Sequence, residues 1–242
     1  MPDDDEIRAV YEQADYHADV ESSAVRMRAE ARARALVLSA RGCRSLLEIG
    51  CGAGYFLEAC ADVGIEAEGV DGGPTGARAR QRGLKVHDTW VDEFKPERAY
   101  DAIALWEVIE HLPRPIPVMK RLRTFVKPGG MLALSTPSWS GIPARVLRHR
   151  FPMITPPEHL TLFTREGLKT VLTGANFRPF RWTSFSGLDA ETLARNFRRY
   201  FFGQSNVGSR AARILATATQ LPMRVVDRAG MGTSFELYAT AV

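Results

Sequence analysis

One stretch of sequence decides the fold of this 242-residue chain: Leu46-Leu47-Glu48-Ile49-Gly50-Cys51-Gly52-Ala53-Gly54-Tyr55-Phe56-Leu57. The apolar run before the glycines is typical of a buried parallel strand, and the residues after them continue as a helix. Glycine is needed where a turn takes a positive φ or where a ligand approaches bare backbone. The free N–H groups at the start of the helix favour an anionic or polar ligand. The pattern therefore predicts a nucleotide-like cofactor on a strand–turn–helix unit.

A second predicted strand, residues 66–71, ends in Asp71. A carboxylate at this position can accept two hydrogen bonds from a ribose diol. Tyr55 stands where the dinucleotide fingerprint G-x-G-x-x-G has its third glycine, so the spacing here is G-x-G-x-G instead. An NAD-linked oxidoreductase, or a non-catalytic nucleotide-binding module, is therefore the less favoured interpretation of this turn.

Residues 48–54 and Asp71 resemble the first motif of the class I S-adenosylmethionine (SAM) methyltransferases. Three later motifs resemble a subgroup that includes ubiquinone-pathway O-methyltransferases and other small-molecule methyltransferases: E-V-I-E-H-L at 107–112, K-P-G-G at 127–130 and P-P-E-H-L-T-L-F-T at 156–164. The resemblance covers about residues 44–180. It implies methyl transfer from SAM to a small-molecule acceptor. The expected target is a hydroxyl oxygen of a phenol or quinol, a sugar or a natural product.

The resemblance also implies a set of cofactor contacts. The glycines lie against homocysteine and ribose, and Asp71 binds the ribose. Glu48 either reaches the amino group of SAM, directly or through water, or bonds local backbone N–H groups. Adenine is expected beside Gly72, Asp88, Thr89 or Trp90. The predicted cofactor-binding residues are Glu48, Gly50, Gly52, Gly54, Asp71, Gly72, Asp88, Trp90 and Trp106.

Polar residues that follow the fourth predicted strand carry the catalytic hypothesis. Glu107, Glu110 and His111 are spaced i, i+3, i+4, so a single helical turn would place them on one side. His159 is the next polar candidate. Two glutamates and two histidines resemble the divalent-metal set of small-RNA 2′-O-methyltransferases and suit Mg²⁺, Mn²⁺ or Zn²⁺. The alternatives are that His111 or His159 is a metal-free general base, or that Glu110 and His111 bond local backbone and only position the acceptor pocket.

The alternation of strands and helices predicts an α/β fold, a Rossmann-like doubly wound sheet in a single domain spanning residues 1–242. Seven strands are expected, mostly parallel with the last one antiparallel, near 45–49, 66–71, 84–88, 101–106, 130–136, 177–184 and 233–241. Helices are expected near 22–40, 53–63, 75–82, 115–126 and 165–174, the first within an N-terminal tail and helix at 1–40.

A helical insertion is predicted at residues 188–231, between the last two strands. Apolar residues including Leu193 and Phe197 share one face, and arginines including Arg198 share the other. We interpret the insertion as a lid over the acceptor site, with a helical hairpin packed on the core as the alternative. The arginine face could meet an anionic surface, but a solvated face is favoured over peripheral membrane contact.

Composition limits the remaining function classes. The formal net charge is +4, and there is neither a run long enough to span a bilayer nor a signal peptide. The cysteines, Cys43, Cys51 and Cys60, have neither metal spacing nor a paired framework, which favours the cytoplasm. Basic segments and the possible metal set keep an RNA 2′-O-methyltransferase as an alternative. No RNA-binding module or aromatic-basic platform is recognisable in the sequence, so nucleic acid is not the expected partner.

Overall fold

The computed structural model describes residues 24–186 and 223–242, together with Glu6 and Ala9. Seven strands lie within these residues: β1 Ser45–Ile49, β2 Glu66–Val70, β3 Val86–His87, β4 Tyr100–Trp106, β5 Val126–Pro137, β6 Phe177–Phe185 and β7 Ser234–Ala241. They form one sheet in the order β3-β2-β1-β4-β5-β7-β6. β7 runs in the opposite direction to the other six strands, so its pairs with β5 and β6 are antiparallel. The predicted mostly parallel, Rossmann-like sheet is confirmed.

Helices cover both faces of this sheet. They are α1 Ala24–Ser39, α2 Tyr55–Asp62, α3 Pro74–Gln81, α4 Pro115–Arg123, α5 Ile142–Leu147 and α6 Arg165–Gly174, and residues 223–228 form a further helix, α7. Five of them lie where the sequence predicts helices. The sequence does not predict α5, because six residues are too few to show a helical period. The predicted lid spans residues 188–231, of which 188–222 lie outside the described residues.

Alternation along the strands divides the core into two layers. Leu47 and Ile49 of β1 face one layer, which is completed by apolar residues of α4 and α6. Leu46 and the alanines of β4 face the other layer, against α1 and α2. Because successive side chains of a strand point to opposite faces, one apolar strand supplies both layers.

The topology fixes where a ligand can bind. From β1 the chain runs outward to β2 and β3, and β4 then returns to the other side of β1. Ligands of open α/β sheets bind beyond the carboxyl ends of the strands at such a reversal of strand order. The ends of β1, β2 and β4 therefore outline the expected crevice.

Two features of the sheet were not predicted from the sequence. β5 begins at Val126 and includes the K-P-G-G turn, and its register with β4 shifts between Tyr100 and Ala102 to accommodate those residues. On the far edge, β6 and β7 pair along their whole length, from Phe177 opposite Ala241 to Phe185 opposite Ser234. In residues 24–186 and 223–242, no helix is long and apolar enough to cross a membrane.

Candidate active site

A cavity of about 530 Å³ opens at the carboxyl ends of β1, β2 and β4. Its wall includes both the glycine turn after β1 and the polar residues after β4. The predicted site residues on this wall are Gly50, Gly52, Asp71, Gly72, Trp90, Glu107, His111 and His159. The sheet therefore brings the predicted cofactor and catalytic segments to one cavity.

The glycine turn is held in place by Asp71. Gly52 donates its N–H to one carboxylate oxygen of Asp71 at 2.8 Å, and Gly73 donates to the other at 2.9 Å. Each carboxylate oxygen has a second lone pair, and Asp71 lines the cavity. Asp71 can thus fix the turn and still accept a hydrogen bond from a ligand diol.

The glycines of this turn differ in what they provide. Gly50 and Gly52 both have left-handed backbone, with φ of 67° and 50°. A Cβ at Gly50 would lie 2.7 Å from Val108, so this glycine permits close packing against the residues that follow β4. A Cβ at Gly52 would meet nothing within 4 Å, and Gly52 lines the cavity. Gly52 therefore keeps open the space that a ligand would occupy.

Of the residues predicted beside adenine, Gly72, Thr89 and Trp90 line the cavity, whereas Asp88 does not. Asp88 is exposed and forms an ion pair with Arg80 at 3.0 Å, away from the cavity wall. Asp92 lines the cavity instead, in the turn that follows Trp90. A Cβ at Gly72 would lie 3.1 Å from the indole of Trp90, so the two residues pack together. The prediction for Asp88 is corrected by this placement, because its side chain is turned toward α3.

Three other predicted cofactor residues lie behind the cavity wall rather than on it: Glu48, Gly54 and Trp106. Glu48 is buried, and its Oε2 has no hydrogen-bond partner among the described residues. It does not bond backbone N–H groups through that oxygen. Burial, reinforced by the charge of Asp71, raises the pKa of Glu48 well above its usual value, while Arg34 opposes the shift.

Glu107 does not start a helix, contrary to the prediction. Its φ is 54°, and its N–H bonds to the carbonyl oxygen and hydroxyl of Ser135, which extends the pairing of β4 with β5 by one residue. Only a short 3-10 turn, Ile109–His111, follows. The i, i+3, i+4 spacing therefore does not place the glutamates and His111 on one helical face. Burial raises the pKa of Glu107, and its Oε1 has no partner in the described part of the chain.

Glu110 is fully buried. Its Oε2 accepts a hydrogen bond from the Thr136 hydroxyl at 3.0 Å. Its Oε1 has no hydrogen-bond partner in the described residues and lies 3.9 Å from His111 Nε2. Burial and the neighbouring Glu107 raise the pKa of Glu110 well above its usual value. The backbone carbonyl of Glu110 accepts the N–H groups of Leu160 and Thr161 at 2.9 and 3.1 Å. This pairing fixes the segment that carries His159 against the end of β4.

His111 and His159 form an edge-to-face pair, with ring centroids 4.8 Å apart. His111 Nδ1 lies 2.9 Å from the carbonyl oxygen of Glu158, and His159 Nδ1 lies 2.7 Å from that of Met153. A carbonyl oxygen only accepts hydrogen bonds, so each Nδ1 carries the proton and each Nε2 the lone pair of the neutral ring. Burial, with a contribution from His159, lowers the pKa of His111 to about 4. His111 is therefore neutral near pH 7.

Three of the four predicted metal ligands come together. One ligand atom each from Glu110, His111 and His159 lies within 4.8 Å of the others. Glu107 is not part of this group, although its carboxyl interacts with that of Glu110. A carboxylate and two imidazoles are a donor set that divalent transition metals accept.

Sequence reasoning missed some residues of the site. Met27 of α1 and Arg114, which precedes α4, line the cavity. Arg34 of α1 lies over the Trp106 ring at 4.2 Å and forms an ion pair with Glu236 at 2.9 Å. No motif marks these residues in the sequence. They reach the site because the topology brings α1 and the loop before α4 to the carboxyl edge of the sheet.

A family model described as a methyltransferase domain matches residues 20–180, about two thirds of the chain. The chain belongs to this family. It is a SAM-dependent methyltransferase, and this assignment removes the NAD-linked oxidoreductase from consideration. A ubiquinone biosynthesis O-methyltransferase of Bradyrhizobium diazoefficiens is 27% identical to this methyltransferase over 181 residues, which cover 64% of this chain and 72% of the relative.

Solved structures agree on the fold of this methyltransferase. A SAM-dependent methyltransferase from Archaeoglobus fulgidus superposes with a TM-score of 0.60 at 22% identity and covers 88% of this chain and 94% of its own. The SAM-bound magnesium protoporphyrin IX methyltransferase of Synechocystis superposes with a TM-score of 0.62 at 13% identity and covers 100% of this chain and 98% of its own. At these identities the likeness concerns the fold alone.

Proposed function

We propose that this methyltransferase transfers the methyl group of SAM to a hydroxyl oxygen of a small molecule. The observation that carries the proposal is the shared cavity, in which Gly52 and Asp71 line one part and His111 and His159 another. A donor bound at the turn and an acceptor bound at the histidines would share one enclosed space. The relative named as a ubiquinone biosynthesis O-methyltransferase supports oxygen as the acceptor atom.

The chemistry asks little beyond alignment and one proton transfer. The methyl group of SAM is already activated by the sulfonium, so the enzyme must hold an oxygen in line with it and exclude water. A hydroxyl becomes a strong nucleophile when a base removes its proton as the C–O bond forms. We assign this base to the histidine pair.

His159 is the better placed of the two histidines. The backbone carbonyls of Glu158 and Glu107 both interact with the His111 ring, and burial lowers the pKa of His111 to about 4, so His111 is a weak base. His159 Nδ1 lies 2.7 Å from the carbonyl oxygen of Met153, and the residue lines the cavity. Its Nε2 can therefore accept the proton of an acceptor hydroxyl. His111 packs edge-to-face against it and is proposed to position that ring.

We also propose a divalent cation at Glu110, His111 and His159 as an alternative to the metal-free base. The fit rests on the buried, unpartnered Oε1 of Glu110 and on the grouping of the three ligand atoms within 4.8 Å. A bound cation would supply a Lewis acid that lowers the pKa of the acceptor hydroxyl. Thermal-shift titration with Mn²⁺ and Zn²⁺ should stabilise the native protein, and Glu110→Gln should abolish that stabilisation.

The function is tested by incubation with methyl-labelled SAM and three acceptor sets: phenols with adjacent hydroxyls, the matched aromatic amines, and total RNA. We expect label on oxygen of the phenols. Label on the amines alone would move the acceptor atom to nitrogen, and label on RNA alone would favour the 2′-O-methyltransferase alternative. Repeating the phenol reaction after dialysis against EDTA separates the two mechanisms, because only the metal-dependent reaction should stop.

A further inference from the structure

A surface on the same end of the sheet combines exposed apolar side chains with arginines. Ile142 and Val146 of α5 are 37% and 73% exposed, and Val225 of α7 is 66% exposed. We define the α5–α7 surface as the exposed side chains of α5, the turn after it, α7 and its end: Ile142, Arg145, Val146, Arg148, Arg150, Arg224, Val225, Arg228 and Met231. Exposed apolar groups that cluster in this way mark interaction sites more often than chance.

The two helices of this surface are held together by backbone contacts. Ile142 donates its N–H to the carbonyl oxygen of Met231 at 2.9 Å. Gly141 packs so closely on Gly232 that a Cβ there would overlap the Gly232 carbonyl. The start of α5 and the chain that follows α7 are thereby fixed to each other, which brings the two helices to the same end of the sheet.

The charge of this surface is strongly one-sided. It carries five exposed arginines, and none of them forms an ion pair within residues 24–186 and 223–242. The acidic residue nearest in sequence is Asp227, which is bonded to the Ser186 hydroxyl at 2.6 Å. By contrast, Arg34 and Arg98 elsewhere in the molecule are paired with glutamates. The surface therefore fits an anionic partner.

The position of the surface relates it to the cavity. α5 follows β5 by four residues, at the carboxyl edge of the sheet. Three residues beyond Arg150, the carbonyl of Met153 accepts the hydrogen bond from His159. The surface thus lies on the side of the molecule on which the cavity opens.

We propose that the α5–α7 surface docks this protein on an anionic lipid bilayer. Val146 and Val225 are small aliphatic groups that can enter the boundary between headgroups and acyl chains, and the arginines beside them can contact lipid phosphates. Arginine stems cover apolar surface while their heads stay in water, which suits this boundary. The inference concerns attachment, so it holds whatever the acceptor is.

The test is sedimentation of the full chain with phosphatidylcholine vesicles that contain 40% phosphatidylglycerol, at about 50 and 300 mM salt. We expect binding to the anionic vesicles at low salt and none to pure phosphatidylcholine. Arg145→Gln together with Arg228→Gln should weaken the partition by roughly twentyfold, on the order of fivefold for each arginine. Val146→Ser together with Val225→Ser should weaken it by about tenfold at constant charge.

Matched controls use exposed residues outside this surface. Arg178→Gln removes the same charge from β6, and Val25→Ser removes the same apolar group from α1, so neither should change the partition by more than about twofold. A native protein that stays in the supernatant, or a control that weakens binding as much as the surface variants, overturns the proposal. Loss with the arginine variants but not with the valine variants would also overturn it, because that result describes adsorption by charge without insertion.

Discussion

The two parts of the cavity satisfy their polar groups in opposite ways. At the glycine turn, both oxygens of Asp71 accept backbone N–H groups, so the turn is complete without a ligand. Beyond β4, one buried oxygen of Glu107 and one of Glu110 have no hydrogen-bond partner in the described part of the chain. The pKa of each carboxyl is raised. Buried polar groups normally find partners, so those left without one are places where the protein gives up stability for function. The glycine turn is therefore preorganised, whereas the residues beyond β4 have buried oxygens that are left for a ligand to satisfy.

The largest effect should separate the two parts directly. His159→Ala removes the proposed base and should lower kcat by about 10²–10⁴-fold, while SAM affinity changes less than about threefold. Single-turnover rates and titration calorimetry measure the two quantities. His149→Ala, at an exposed position outside the cavity, is the control. Full turnover by a His111→Ala, His159→Ala double variant would show that neither ring takes part.

The next effect concerns the open space at Gly52. A valine there would place its side chain in the cavity from a left-handed residue, and we expect SAM affinity to fall by more than roughly a hundredfold. Gly64→Val is the matched control, because Gly64 also has positive φ and an open Cβ position but lies outside the cavity. Both variants should lose some stability, and titration calorimetry should show that only Gly52→Val loses SAM affinity. Equal SAM affinity in the two would mean that the ligand does not use this space.

A smaller effect is expected at the carboxylate of the turn. Asp71→Ala should weaken SAM binding by about tenfold to a hundredfold, or roughly 1.5–3 kcal/mol, because it removes a charge-assisted contact and loosens the turn. Asp88→Ala provides the comparison, since its carboxylate pairs with Arg80 outside the cavity. We expect its affinity to change less than about threefold. A larger loss of SAM affinity in Asp88→Ala than in Asp71→Ala would show that Asp88 contributes to the SAM site.

The smallest effect is a gain in stability. The raised pKa of Glu110 means that the folded state binds its proton more tightly than the unfolded state does, so its contribution to stability falls as pH rises above about 4.5. Glu110→Gln removes that penalty, and Tm at pH 8 should rise by about 2–4 °C for each kcal/mol removed. The gain should shrink toward pH 5, as thermal unfolding across this range can show.

Asp101 supplies the opposite case for the same measurement. Burial opposes its ionisation, but Lys127 and the N–H groups of Arg44 and Ser45 outweigh that and lower its pKa to about 2. Its contribution is therefore present above about pH 4 and is lost as pH falls toward 2. Asp101→Asn should lower Tm at pH 8, where Glu110→Gln raises it. A lower Tm in both variants would show that Glu110 is not under strain.

The parts of the molecule that follow from local pattern could be predicted from the sequence. Apolar runs mark the strands of the sheet, and the glycine triplet marks the turn, because both depend on neighbouring residues alone. The left-handed backbone of Glu107 could not be predicted, since it depends on pairing with Ser135, which lies 28 positions away.

Side chains that come from distant elements were also beyond prediction. Asp92 replaces Asp88 at the cavity because the turn after Trp90 reverses the chain, and nothing in the composition distinguishes the two carboxylates. Arg34 reaches Trp106 only because α1 packs on the face of the sheet that carries even-numbered residues of β4. Such neighbours are fixed by tertiary packing, which a single sequence does not encode in its spacing.

The pairing of Phe185 with Ser234 has a consequence for how the length of the segment between β6 and β7 can vary. The chain leaves the sheet at the end of β6 and re-enters it directly opposite, so residues 186–233 begin and end at adjacent points of the sheet. The entropy of closing a loop grows only slowly with its length, by about 0.6 kcal/mol for each doubling. This interval can therefore be lengthened, shortened or exchanged between relatives while the strands keep their register. Chimaeras joined at these two residues would test whether the interval alters which acceptor the enzyme takes.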